Sequence, residues 1–240
     1  MNDLRIALAF LTILPVGYVE SESPGRSFAF FPLIGLLIGF ILASAAYALR
    51  LWLSAELAAL GVVVLWVVLT GGLHLDGFAD ACDGLLATVE PVRRLEIMKD
   101  PRTGSWAVVG LILLLLSKWL TVREAAPVAL ILPPVIGRWI MVLAAFGFPY
   151  ARSEGLGAFF RRGLRRRQVV LATSTVVILV IIWSLLFDWR ELVSVVMALV
   201  LMIVIGRWAS IRLGGGLTGD VYGALCELSE VIVLLLMSTL

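Results

Sequence analysis

Apolar stretches close to twenty residues long recur along this chain, separated by short polar segments, and none shows the two-residue alternation of a half-buried strand. About twenty apolar residues cross a bilayer as a helix. Windows near that length run Ser27 to Leu49, Leu57 to Leu73, Trp106 to Val122, Pro127 to Phe148, Val169 to Phe187, Leu192 to Ile205 and Val221 to Leu240. The Leu192 window is short and needs flanking residues to span. Leu4 to Val16 is shorter still and is expected to be re-entrant or interfacial, retained because no small-residue cleavage site follows it. Backbone groups in lipid must bond within the chain, and a barrel would need alternating faces, so the pattern predicts an all-α, polytopic integral membrane bundle. About seven transmembrane helices and a short N-terminal apolar segment are expected, in a single domain over 1–240.

Composition supports this reading: 61% of the 240 residues are hydrophobic and 15% charged. A net charge of +2 offers no field to gather nucleic acid, so the lipid bilayer is the expected macromolecular partner. Where the cations lie is more informative. Threading seven spans alternately puts Arg50, Lys118, Arg123 and Arg190 on one side and thirteen Lys and Arg on the other, in residues 17–26, 74–105, 149–168 and 206–220. The positive-inside rule makes that second side cytoplasmic. It also carries the long, glycine-bearing connections, so the working surface is expected there. Cys82 and Cys226 have no metal or disulfide spacing and are read as packed thiols.

The chemistry-bearing residues gather in those connections. In "TGGLHLDGFADACDGLL", Asp76, Asp80 and Asp83 recur at i, i+4 and i+7, inside an arc of roughly 60° on a helix. Like charges so placed repel unless a cation lies between them, and oxygen ligands suit Mg²⁺. His74, the only histidine, stands two residues before Asp76 as a possible base, phosphate ligand or orienting donor. "MKDPRTGSW" offers Lys99 and Arg102 to phosphate oxygens, with Asp100 between them. "GGGLTGD" places Gly215, Gly216 and Thr218 in a turn before the last helix, where backbone N–H groups can cradle an anion. That helix carries Asp220, Glu227 and Glu230 within about 80° of arc. Arg138 lies in mid-span and needs an anionic partner, which an acid of the last helix or a substrate phosphate would supply. "RRGLRRR", Arg161 to Arg167, reads as an anchor to anionic lipid.

Four motifs in order, "GGLHLDGFADACDG", "LEIMKDPRTG", "YARSEGLG" and "GGGLTGD", together with "FFPLIG" and the acidic last helix, resemble the cobalamin synthase (adenosylcobinamide-GDP ribazoletransferase) family over nearly the whole chain. The resemblance implies a Mg²⁺-dependent enzyme of the bacterial inner membrane, with its catalytic motifs on the cytoplasmic side. Such an enzyme joins α-ribazole or its 5′-phosphate to adenosylcobinamide-GDP, releases GMP and closes the nucleotide loop of cobalamin. On these residues it implies that Asp76, Asp80 and Asp83, with Asp220 and Glu227, hold the metal. Lys99, Arg102 and Arg138, with the Gly215, Gly216 and Thr218 turn, would hold phosphate, and Asp100 or His74 would take a proton. A homo-oligomer is left open. A phospholipid-type alcohol phosphotransferase is a poorer match, because Asp80 stands where that pattern wants Arg. A transporter would repeat its halves and carry polar residues at mid-membrane, whereas here Arg138 is the exception.

Overall fold

The computed structural model describes residues 2–17, 21–152, 155–187 and 192–239. Arg190, Ser153 and Glu154 of the motif above, and the last residue of the Val221 window, fall outside them. Among the described residues the secondary structure is helical: α1 (Asn2–Leu11), α2 (Phe31–Arg50), α3 (Ala55–Thr70), α4 (Leu73–Leu86), α5 (Pro91–Ile97) and α6 (Ser105–Glu124) come first. They are followed by α7 (Leu132–Gly147), α8 (Leu156–Phe160), α9 (Arg166–Leu186), α10 (Leu192–Arg212) and α11 (Gly219–Thr239). Short 3₁₀ turns at Pro24–Phe30 and Pro127–Ile131 lead into α2 and α7, each opened by a proline whose missing N–H costs nothing at a helix start.

Six helical segments are long and apolar enough to cross a membrane: Pro24–Arg50, Ser105–Glu124, Pro127–Gly147, Arg166–Leu186, Leu192–Arg212 and Gly219–Ser238. The seventh, α3, is joined to α4 by a bend of 90°. Composition and length therefore agree with an integral membrane bundle of six crossings, or seven where the bent pair counts as one. The Leu192 window does borrow residues, continuing as one helix to Arg212. The N-terminal segment forms only the ten residues of α1, then leaves helical geometry, and Ile13 N–H donates to the Leu69 carbonyl at 2.9 Å.

Contacts between connections establish which ends lie together. At one end Arg50 donates to the carbonyls of Val122 and Arg123, and Trp119 Nε1 donates to the Glu56 carbonyl. At the other, Gly25 N–H meets the Arg162 carbonyl, Ala151 N–H meets that of Leu217, and Asp83 reaches Gly104. The second end is the one bearing the acidic motif.

The bend before α4 is written in two glycines. Gly71 and Gly72 have φ of +62° and +67°, a left-handed region that side chains with a Cβ avoid. Two consecutive residues there end α3 and turn the chain sideways. α4 then lies across the starts of α6 and α11, outside the crossing segments: a Cβ on Gly77 would stand 3.0 Å from the Asp220 Cα, and one on Gly223 would stand 3.2 Å from the His74 carbonyl oxygen.

Both ends of this arrangement are capped by side chains from elsewhere. Asp83 accepts from Gly104 N–H at 2.7 Å and Ala107 N–H at 2.9 Å, so a carboxylate of α4 is the N-terminal cap of α6. The orphan carbonyls at the C-terminus of α4 receive two guanidinium groups. Arg94 bonds Gly84, Leu85 and Ala87, and Arg212 bonds Leu85 and Ala87. Cations belong at that end of a helix dipole.

Beneath α4 the bundle buries four charges. Lys118 on α6 pairs with Glu227 and Glu230 of α11, both at 2.6 Å, and Arg138 on α7 pairs with Glu230. Lys118 also stands 4.2 Å above the Trp66 ring. Lys118 is therefore not an outer-side cation, as alternate threading of the sequence has it, but an internal one. Two cations and two anions cancel, which is what makes their burial tolerable in a low-dielectric bundle. Glu230→Ala should leave two cations facing one carboxylate and cost about 3–5 kcal/mol, read as a lower thermal midpoint in detergent. The double variant Arg138→Met with Glu230→Leu keeps the Lys118–Glu227 pair and should recover most of that loss.

Candidate active site

Asp76, Asp80 and Asp83 do lie on one helix, and α11 adds Asp220 through the close contact at Gly77. Asp76 and Asp80 line a cavity of about 310 Å³ together with Lys99, Asp100 and Arg102 from the connection between α5 and α6. This connection approaches because Met98 is buried against α4 and Asp83 ties down Gly104. Half-buried, and facing the charges of Asp220 and Asp76, the Asp80 carboxyl is pushed up to about 7, first by burial and then by its neighbours. A carboxyl so raised marks a place where negative charge is in excess.

Among the described residues no three His, Cys, Asp or Glu side chains meet closely enough to hold a metal ion as they stand. The donor chemistry nonetheless fits a hard cation that keeps several waters and takes one or two carboxylates. Asp76, Asp80 and Asp220 are the acids positioned for it. Asp83 has each oxygen on a backbone N–H of α6, so its first duty is the cap.

Glu227 does not join this group. It is 3% exposed and paired with Lys118, one layer deeper in the bundle. Arg138, fully buried, meets Glu230 rather than the cavity that Lys99 and Arg102 line. Of the two partners open to Arg138 in the sequence, the acid of the last helix is the one the fold supplies. Expectation and structure part over both residues for one reason: charges buried this deep are neutralised by each other before any ligand reaches them.

The glycine turn also has another use. Gly216 packs where a Cβ would stand 2.8 Å from Ala151 N, and Leu217 N–H and C=O bond Pro149 and Ala151. Thr218 is buried, its hydroxyl 3.4 Å from Val221 N–H in the first turn of α11. Gly214 and Gly215 alone in this turn face solvent, both at positive φ. The turn thus fixes the start of α11, and with it Asp220, and it lines neither cavity with Gly215, Gly216 or Thr218.

Asp100 is held by Arg102 through paired contacts of 2.6 to 3.2 Å, which keep its carboxyl well below the usual carboxylate range. Lys99 is exposed at the cavity rim. His74 is 2% exposed, with Nδ1 3.8 Å from Cys226 Sγ and Nε2 without a partner. Both cysteines are free, as their spacing predicts.

Arg152 is the residue the sequence reading passed over. Its Nη2 lies 2.8 Å from Asp220 Oδ2 and 3.4 Å from the Met98 carbonyl, so it joins α11 to the Lys99 connection across the acid cluster. An arginine inside "YARSEGLG", a motif too far from the acids in sequence to be placed with them, was the available signal.

A second cavity, about 280 Å³, lies on the other side of Asp76, walled by Phe10, Tyr150, Phe160 and Tyr222 and reached by His74 and Arg152. The site as a whole is an anionic ridge between a charged cavity and an aromatic one. Such a ridge can hold a cation and, through it, the phosphates of a substrate.

Comparisons with known proteins place the chain in a family. The family model for cobalamin-5-phosphate synthase matches residues 3–238. An adenosylcobinamide-GDP ribazoletransferase of Herpetosiphon aurantiacus is 40% identical over 100% of this chain and 97% of its own length. One of Stutzerimonas stutzeri is 42% identical over 98% of this chain and 96% of its own, and one of Pseudomonas putida 41% over 98% of each. No solved structure matches. With the family model covering all but the ends, and relatives this similar aligned from end to end, the chain belongs to the cobalamin-5-phosphate synthase family of transferases.

Proposed function

We propose that this protein joins α-ribazole, or α-ribazole 5′-phosphate, to adenosylcobinamide-GDP, giving adenosylcobalamin or its 5′-phosphate and releasing GMP. The acidic end of the bundle faces the cytoplasm of a bacterial inner membrane, the side on which the basic connections cluster. The observation that carries the reading is the position of Asp76, Asp80 and Asp83 in a cavity rimmed by Lys99 and Arg102, with the Asp220 charge acting on Asp80 from α11.

In the reaction a ribose hydroxyl oxygen attacks the phosphorus attached to cobinamide. A new P–O bond forms, the bond to the bridging oxygen breaks, and GMP leaves with that oxygen. Bound Mg²⁺, held by Asp76, Asp80 and Asp220, would neutralise charge on the pyrophosphate as it moves toward the leaving group. Lys99 and Arg102 meet phosphate oxygens from the open rim, and Arg152 takes the place across the cluster once expected of Arg138. His74 is better placed than Asp100 to accept the hydroxyl proton. Its Nε2 has no partner and it lines the second cavity, whereas Asp100 is already bound to Arg102. Burial, with the Arg138 and Lys118 charges nearby, holds His74 well below the usual imidazole range, so it is neutral and free to take a proton but is itself a weak base.

Purified protein in lipid nanodiscs should release GMP only when both substrates and Mg²⁺ are present, and a chelator should stop it. Release without α-ribazole, or none with intact substrates, would sink the reading. Asp80→Ala should lower kcat by at least about a hundredfold while the protein stays folded, and unchanged turnover would remove Asp80 from the metal site.

Metal dependence also has a readout in stability. The Asp80 carboxyl ionises near 3.8 when unfolded and about 7 when folded, so metal-free protein loses stability as pH rises between those values. Mg²⁺ competes with that proton, and its stabilising shift in thermal midpoint should therefore grow from pH 5 to pH 8. Asp80→Asn should raise the metal-free midpoint and flatten the Mg²⁺ response, as differential scanning fluorimetry would show.

A further inference from the structure

Two cavities meet at Asp76, and their walls differ in kind. The first, with Lys99, Arg102 and the aspartates, is built for charge. The second is walled by rings: Phe10 and Phe160 have centroids 4.0 Å apart, and Tyr150 and Tyr222 are 6.3 Å apart. Aromatic walls of this kind hold a flat, apolar ring by offset or edge contacts.

Arg152 and Asp220 line the second cavity too and pair with each other at 2.8 Å, whereas two buried polar side chains among its walls stay unsatisfied. Tyr222 is 4% exposed and His74 2%, and neither Tyr222 Oη nor His74 Nε2 has a hydrogen-bond partner. A buried hydroxyl left unpaired is costly, and such groups in native proteins usually await a partner. Two unpaired groups lining one aromatic cavity call for a ligand with a flat ring and one or two polar atoms.

Resting on the proposed function, we infer that this second cavity seats the benzimidazole of the ribazole substrate. A corrinoid far exceeds about 280 Å³, and the guanine of adenosylcobinamide-GDP, also a flat ring, carries several polar edge atoms, whereas benzimidazole matches a cavity that offers rings and few unpaired polar atoms. Benzimidazole in a nucleoside keeps one unsubstituted ring nitrogen, an acceptor that the Tyr222 hydroxyl is free to meet. With the ring among Phe10, Phe160 and Tyr222, the ribose points to the shared wall at Asp76. Its hydroxyl then stands between His74 Nε2 and the phosphates of the first cavity. The short α1 thereby gains a use: Phe10 closes the nucleoside cavity, and the remainder of that helix anchors it to the bundle.

The test uses full-length protein in nanodiscs, with 5,6-dimethylbenzimidazole as a fragment probe. The fragment should compete with α-ribazole and not with adenosylcobinamide-GDP. Tyr222→Phe, which keeps the ring, should raise KM for α-ribazole about tenfold and leave that for adenosylcobinamide-GDP within about twofold. Met141→Trp, which fills the same cavity, should abolish fragment binding in equilibrium dialysis. Competition against adenosylcobinamide-GDP, or a Tyr222→Phe effect confined to that substrate, would overturn the inference and leave the reaction standing. If wild-type protein releases no GMP, the reaction reading fails, and dialysis still decides the cavity. Fragment binding lost in Met141→Trp upholds the aromatic seat, and absence of binding to wild type overturns it.

Discussion

Everything at the acidic end depends on holding one short helix crosswise. α4 carries its aspartates over the ends of α6 and α11, and a helix in that position has loose termini that lipid cannot satisfy. The chain answers with caps supplied in trans. Arg94 and Arg212 take the carbonyls at one end, and Asp83 returns the favour to the N-terminus of α6. Because the same contacts that satisfy the backbone also aim Asp76 and Asp80 outward, the geometry of the site follows from the accounting of hydrogen bonds.

A second layer of electrostatics lies below. Lys118, Arg138, Glu227 and Glu230 join three crossing helices and cancel among themselves, so they neither draw ions nor carry a channel of charge through the bundle. That self-cancellation separates this protein from a transporter, in which charges near mid-membrane stand open to a pathway. Above it the aspartates have less compensation, Arg152 being the cation nearest Asp220, and burial first, then the neighbouring carboxylates, make Asp80 hold its proton. One layer balances its own charge, and the other carries negative charge in excess.

An aromatic cavity and a charged one lie on the two sides of Asp76. One wall offers charge, the other rings and a pair of unsatisfied polar atoms. Segments distant in sequence supply the second wall: α1, α8, the stretch at Tyr150 and the start of α11. The "YARSEGLG" and "GGGLTGD" motifs meet through the backbone bonds of Ala151 and Leu217, and this fixes Tyr150, Arg152 and Asp220 relative to one another.

The sequence by itself determined the helical membrane bundle and the gathering of its acids on one helix face. Twenty-residue apolar runs leave the backbone no alternative in lipid, and the spacing of Asp76, Asp80 and Asp83 is readable as one helix face because α-helical periodicity is local. It also determined that Arg138 needs an anion. Only the tertiary structure decided which anion, since a pairing across ninety-two residues has no local signature. The fold likewise decided that Glu227 pairs with Lys118, that Asp83 caps the α6 backbone, and that Gly216 and Thr218 are buried in the turn that starts α11. In each case the residue type announced a capacity to bond, and proximity, which periodicity does not encode, chose the partner.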